Sequence, residues 1–321
     1  MPPPDTTYIP GQTGPPPLTV DPFIDSVVQT YWTADEMTKS EKNEGGLSTA
    51  GVFFMLLMGV FFVMINKGAE IFPGFIRKRR LAAKIKRMFT ADGKKYHKWL
   101  LSFNPYYKSL PEGVKHRFLE RTLHFVSEKQ FRFHYMEPAE HIPVLIAGAA
   151  VQLTFGLKNY LLDHYPVIHV IRKEYERKAD RQTYYGHVSR SGIYISWSHF
   201  LAGYSDYSDS ENVGLHEMAH ALQFDAYLGL EDVHDRNFKE RLSSFCDEGR
   251  PIFRAMRKGA SHLLDDYATT NFDEFWAVSV ETFFENPVVF KEKLPGLYQE
   301  ISELLNQDPL LEYKVVDPDL L

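Results

Sequence analysis

His216-Glu217-Met218-Ala219-His220 is the stretch from which the rest of the chain is best read. Two histidines four residues apart project from one face of a helix and can close on a single metal ion. The glutamate between them lies beside that face, placed to take a proton from water at the metal. His-Glu-x-x-His is the signature of zinc peptidases, and Asn212 is a good N-cap for the helix that would carry it. A catalytic zinc takes three protein ligands, so a third must come from elsewhere. The best stretch is 266–281, which offers Asp273, Glu274 and Glu281. Glu274 and Glu281 are seven apart and share a helix face, whereas Asp273 points elsewhere and suits a helix-start carboxylate. Spacing alone leaves the choice open.

Outward from the motif, the pattern reads as mainly helical with a few strands. A helix is expected after Pro111, where Leu119, Leu123 and Val126 recur at i, i+4, i+7. The uncharged run Ile142 to Leu157 is 16 residues long, short for a membrane span and suited to a buried core helix. Val167–Ile171 and Gly192–Trp197 read as short strands. The second could be a sheet edge on which an extended peptide adds as another strand, or a strand buried in mid-sheet. Asn271 or Thr270 could cap a last major helix ending near Asn286-Pro287.

The N-terminal part differs in character. Residues 1–44 hold seven acidic and two basic side chains, and the first 20 are rich in Pro and Gly, as expected of a flexible tail. Val27, Val28, Tyr31 and Trp32 could make a short helix at its end. Residues 45–66 carry no charge, and as a helix they would rise roughly 33 Å, enough to cross a bilayer. The 44-residue acidic lead-in argues against a cleaved signal peptide. From Lys67 to Arg87 there are eight basic residues against Glu70 alone. The positive side stays in the cytoplasm, which puts the tail outside and residues 67–321 on the cytoplasmic side of the inner membrane. Arg77–Met88 suits either a lipid headgroup surface or a solvated charge run. The net charge of −6 does not suggest a nucleic-acid partner. The lone Cys246 rules out an intramolecular disulfide and reads as a small buried or half-buried side chain.

The segments 212–222 and 267–287, with the helix at 142–157, the strand ahead of the histidines, Leu297-Tyr298 and 306–309, resemble the Mlc titration factor A family of zinc peptidases over roughly residues 100–310. The catalytic segment is also similar to the zinc domain of anthrax lethal factor. The resemblance implies Zn2+ held by His216, His220 and Glu274, with Glu217 as general base and Tyr267 steadying the oxyanion. It implies a gluzincin-like hydrolase acting on a peptide or protein substrate. Glu281 also matches a family position and would be an acid orienting a ligand histidine, or else a surface or packing residue. Where the family commonly has Asp, this chain has Gln223, and Asp225 two residues on faces another direction.

The expected architecture is α+β: a mainly helical, zincin-like metallopeptidase domain with a small sheet at 99–321. It is preceded by an acidic Pro-rich tail (1–44), one transmembrane helix (45–66) and a basic juxtamembrane linker (67–98). The expected function is that of a membrane-anchored zinc metallopeptidase touching the bilayer through residues 45–66. The alternative is a binding protein that sequesters a cytoplasmic transcription regulator at the membrane, because the family includes a protein that sequesters a transcriptional repressor.

Overall fold

The computed structural model describes residues 92–176, 181–207, 211–228, 233–260, 262–312, 314 and 315, with residues 83 and 90 besides. All but residue 83 lie in one compact unit. The expected tail, the short helix at 27–32, the expected span at 45–66 and the Arg77–Met88 stretch lie outside the described residues apart from residue 83. Among the described residues, no helix is long and apolar enough to cross a membrane.

Helical residues 92–103 bury Tyr96 and Leu100, one turn apart on the same face. Asn104 then caps α1 (Pro105–Ser109), its side chain accepting from the Tyr107 amide, and the expected helix after Pro111 is α2 (Glu112–Glu128). The uncharged run forms α3 (His141–Thr154), with every residue from Val144 to Thr154 buried. A helix without a polar face has to be enclosed, and α2 packs along it. Its last carbonyls need partners from outside the helix. Gln307 Nε2 donates to Gln152 O at 3.1 Å and to Leu153 O at 2.8 Å, and Arg121 donates to Phe155 O at 2.6 Å just past the helix end.

Strands β1 (Gln130–His134), β2 (Val167–Ile171), β5 (Gly186–Ser189) and β6 (Gly192–Ser196) form one sheet in the order β1-β2-β6-β5; β3 (Tyr175–Glu176) and β4 (Thr183–Tyr184) pair separately. β1, β2 and β6 run parallel, and β5 folds back antiparallel on β6. Gly192 has φ 140°, and a β-carbon there would fall 2.4 Å from Val167 O, so only glycine lets the hairpin sit this close to β2. The strand expected at 192–197 is therefore in mid-sheet, between β2 and β5, and cannot accept a peptide at its edge. Trp197 already belongs to the next helix, α4 (Trp197–Ser205). The edge beside it is β5, which periodicity had not marked because Gly-His-Val-Ser lacks a clear alternation.

The remaining helices are α5 (Val213–Leu228), α6 (Val233–Met256), α7 (Phe272–Glu285), α8 (Pro287–Lys293) and α9 (Pro295–Leu305), with a 3-10 turn at Asp266–Thr269. α5 lies between α3, α7 and the β5–β6 hairpin. The Trp276 ring donates Nε1–H to Ala219 O at 2.9 Å and ties α7 to α5. The result is α+β and mainly helical, with a small sheet.

Candidate metal centre

The site is built where α5 and α7 cross. Asn212 starts α5 and uses every polar group it has. Its side-chain oxygen accepts from the Leu215 amide at 3.0 Å. Its amide donates to Glu281 Oε2 at 2.6 Å, and its Nδ2 donates to Glu285 Oε1 at 2.8 Å. The N-cap thus docks the start of one helix onto two consecutive turns of the other. From Val213 to Gln223 every residue of α5 is buried. His216, Glu217 and His220 accordingly face protein on all sides, and each polar atom needs a partner or costs free energy. On α7, Asn271 is the cap: its side chain accepts from the Asp273 and Glu274 amides, which sets Glu274 in the first turn. Thr270 plays no part in that cap.

Three atoms converge. His216 Nε2 lies 2.9 Å from Glu274 Oε2, and His220 Nε2 lies 3.1 Å from His216 Nε2 and 3.4 Å from Glu274 Oε2. Zinc bonds near 2.0 Å in a tetrahedron put neighbouring ligand atoms roughly 3.3 Å apart, so this triangle has the right size. The other nitrogen of His216, Nδ1, is 2.7 Å from Glu281 Oε1. With Nδ1–H donated to Glu281, Nε2 and Glu274 Oε2 would meet lone pair to lone pair unless a positive charge sat between them. The donor set, two imidazoles and a carboxylate, suits zinc, and the geometry fits it.

The electrostatics show which charge the pocket favours. Burial works against a charged His216 ring, but Glu281 and Glu274 outweigh it and hold its pKa well above the ordinary value. Burial pushes Glu274 up, but His220 and His216 overcome it and keep the carboxyl down at about 2. Two carboxylates therefore clamp one cationic position. Glu217 differs. Both of its oxygens are buried without a hydrogen-bond partner among the described residues. Burial, opposed by His216 and reinforced by Glu274 and Glu281, pushes it up to about 8. A carboxyl so placed has a pKa close to the working range of a general base.

Of the residues singled out in the sequence, His216, His220 and Glu274 come together as a potential metal-holding group. Tyr267, in the 3-10 turn, brings its ring within 6.1 Å of the His216 ring. Asp273 turns away from the triangle and accepts from Gln223 Nε2 at 2.9 Å. Asp225 faces elsewhere and pairs with His164 Nδ1 at 2.8 Å. Cys246 is half-buried, and burial raises its thiol, which makes it a poor nucleophile. Sequence reasoning missed Gly186. A β-carbon there would lie 2.5 Å from Glu217 Oε1, so β5 leaves a gap that the Glu217 carboxylate fills. It also missed a row of rings across the sheet, His169, Tyr194 and His187, stacked 4.1 and 4.2 Å apart, with Tyr175 hydrogen-bonded to His187. Neither has a local signal, because each is defined by strand register.

An α+β fold with a buried His-His-Glu cluster and a glutamate beside it defines a candidate metallohydrolase. The model of the family described as glucose-regulated metallo-peptidase M90 matches residues 76–305. The chain belongs to that family. It is also 26% identical over 190 residues to Mlc titration factor A of Salmonella agona, covering 54% of this chain and 68% of that protein. A Synechocystis protein, slr2042, is 29% identical over 122 residues, covering 37% of this chain and 44% of the relative, so that match spans less than half of the relative's length.

Proposed function

We propose that this chain is a zinc-dependent peptidase, with His216, His220 and Glu274 holding the metal. The observation that supports the reading best is the convergence of those three donor atoms beside a buried carboxylate, Glu217, that bonds to nothing else among the described residues. Zinc, when bound, supplies Lewis acidity: it eases deprotonation of the attacking water and polarises the peptide carbonyl. Glu217 takes the proton from that water and later delivers it to the leaving amine. Tyr267 donates its hydroxyl hydrogen bond to the carbonyl oxygen as charge develops there. Glu281 keeps the His216 ring in the orientation that presents Nε2 to the metal. An extended substrate would run along β5, the sheet edge next to Glu217, rather than along β6.

Residues 45–66 would anchor the domain as a single span of the inner membrane, with the tail outside and the peptidase in the cytoplasm. What supports this is the uncharged run and the basic flank that follows it. The second reading is a binder that holds a transcription regulator at the membrane, and it draws on the name of the Salmonella relative, a titration factor.

One variant separates the two. Glu217→Gln is expected to keep zinc and to lose about a hundredfold to ten-thousandfold in peptide turnover. Full turnover by that variant would sink the mechanism. Wild-type protein that binds a regulator and cleaves no peptide would favour the binder.

A further inference from the structure

Glu281 is not the last carboxylate that α7 turns toward α5. Glu274, Glu281 and Glu285 stand at i, i+7 and i+11, one stripe of the helix, and all three are buried. Glu285 is not one of the converging donors. It accepts instead from Asn212 Nδ2 at 2.8 Å. Asn212 is fully buried. Its side-chain oxygen accepts from the Leu215 amide at 3.0 Å, and its own amide donates to Glu281 Oε2 at 2.6 Å. Glu281 Oε1 in turn lies 2.7 Å from His216 Nδ1. Hydrogen bonds at Asn212 and Glu281 thus connect Glu285 to a candidate metal ligand. α4 closes the other side: a β-carbon on Gly203 would fall 3.0 Å from Asn212 Cα, so Asn212 has little room to shift.

We propose that Glu285 and Asn212 are positioning residues for His216: Glu285 holds the Asn212 carboxamide, the Asn212 backbone amide fixes the Glu281 carboxylate, and Glu281 aims the ring. The proposal rests on the zinc reading above. A ligand histidine is oriented by the group on its second nitrogen, and that group is itself oriented by its own hydrogen bonds, so a displacement behind Glu281 reaches the metal. The residue type at 212 supports this. Starting a helix asks for one side-chain oxygen, which Asp, Ser or Thr supplies as well as Asn. Accepting from Leu215 while donating to a carboxylate on another helix takes a separate acceptor and donor, and the Asn carboxamide has both. Aspartate at 212 would instead set a third buried carboxylate against Glu281 and Glu285. An N-cap that did no more than start α5 has no need of an acid from α7.

The test uses the full-length protein and measures zinc affinity by competition with a chromophoric chelator, alongside a thermal melt to show that each variant is folded. Asn212→Asp keeps the cap oxygen and loses the donor. It is expected to weaken zinc by about tenfold, the lower end of what loss of a partner behind a ligand costs. By charge alone an added carboxylate near the site would attract the cation, so weakening reads position. The double variant Asn212→Asp/Glu285→Gln has the wild-type net charge and reverses the hydrogen bond, with the glutamine amide donating to the aspartate. It is expected to return to within about threefold of wild type. A purely structural role would lower the melting temperature of Asn212→Asp and leave zinc affinity unchanged. That result, or a double variant no tighter than Asn212→Asp, overturns the proposal. If Asn212→Asp does not fold, Glu285→Gln and Glu285→Met are compared. Both remove the charge, but only glutamine keeps an acceptor for Asn212. Zinc held several-fold more weakly by the methionine variant supports the proposal, and equal affinities overturn it. Wild-type protein that binds no zinc would instead bring down the metal reading on which the proposal rests, and the proposal with it.

Discussion

Glu281 Oε1 lies 2.7 Å from His216 Nδ1, and the other oxygen of the same carboxylate accepts the Asn212 amide at 2.6 Å. One buried carboxylate thus orients a candidate ligand and docks the helix that carries it. Burial raises Glu281 overall, against the opposing pull of His216 and of the Asn212 amide.

Replacing Glu281 with Gln keeps the shape and removes the charge. Zinc affinity is expected to fall by about tenfold to a hundredfold, as loss of a partner behind a metal-bound histidine usually costs. Calorimetric titration with zinc checks this. Unchanged affinity would mean that Glu281 serves packing alone.

Gly186→Ala puts a methyl group 2.5 Å from Glu217 Oε1. The methyl group meets the carboxylate, so either Glu217 turns away or β5 shifts. Overpacking of this kind costs about 1–3 kcal/mol of stability. Peptide turnover is expected to drop while zinc affinity stays near wild type, since the methyl group meets Glu217 and none of the three convergent donors. Paired measurements of kcat and zinc affinity separate this outcome from general unfolding, which would lower both.

Lys129 offers a pH test remote from the metal centre. It is buried, donates Nζ–H to Leu162 O at 2.7 Å, and burial lowers its pKa to about 8, against the opposing pull of Asp163, Asp225 and Glu128. Below pH 8 the lysine is protonated both folded and unfolded, and the cost of burying the charge is fully present. Between pH 8 and its unfolded value near 10.5, the unfolded chain holds the proton that the native state has released. Native stability therefore rises with pH in that window. Relative to Lys129→Met, the wild type is expected to gain about 2 kcal/mol between pH 8 and 10. Urea unfolding of both proteins at pH 7, 8, 9 and 10 reads the difference, in which the titration of tyrosines cancels. A flat difference would contradict the buried, depressed lysine.

Much of this protein could be read along the chain because the signals are local. The i, i+4 spacing of His216 and His220, the caps at Asn212 and Asn271, the enclosed character of α3 and the strand at 167–171 all depend on a few neighbouring residues. The helix ends at Glu285, ahead of Pro287, as the Asn286-Pro287 step implies. Relations between distant segments could not be read this way. Spacing set Asp273 apart and could not choose between Glu274 and Glu281, which share a helix face, and only the crossing of α5 and α7 assigns each acid its neighbour: Gln223 for Asp273, the two Nε2 atoms for Glu274, and His216 Nδ1 for Glu281. Strand order is likewise a property of the sheet. The pattern at 192–197 is compatible with an edge or a centre, and hydrogen bonding to both β2 and β5 puts it in the centre. Periodicity reports which face of an element is buried. Which partner buries it is decided only when elements far apart in sequence pack, and that is where Gly186 meets Glu217 and Asn212 meets Glu285.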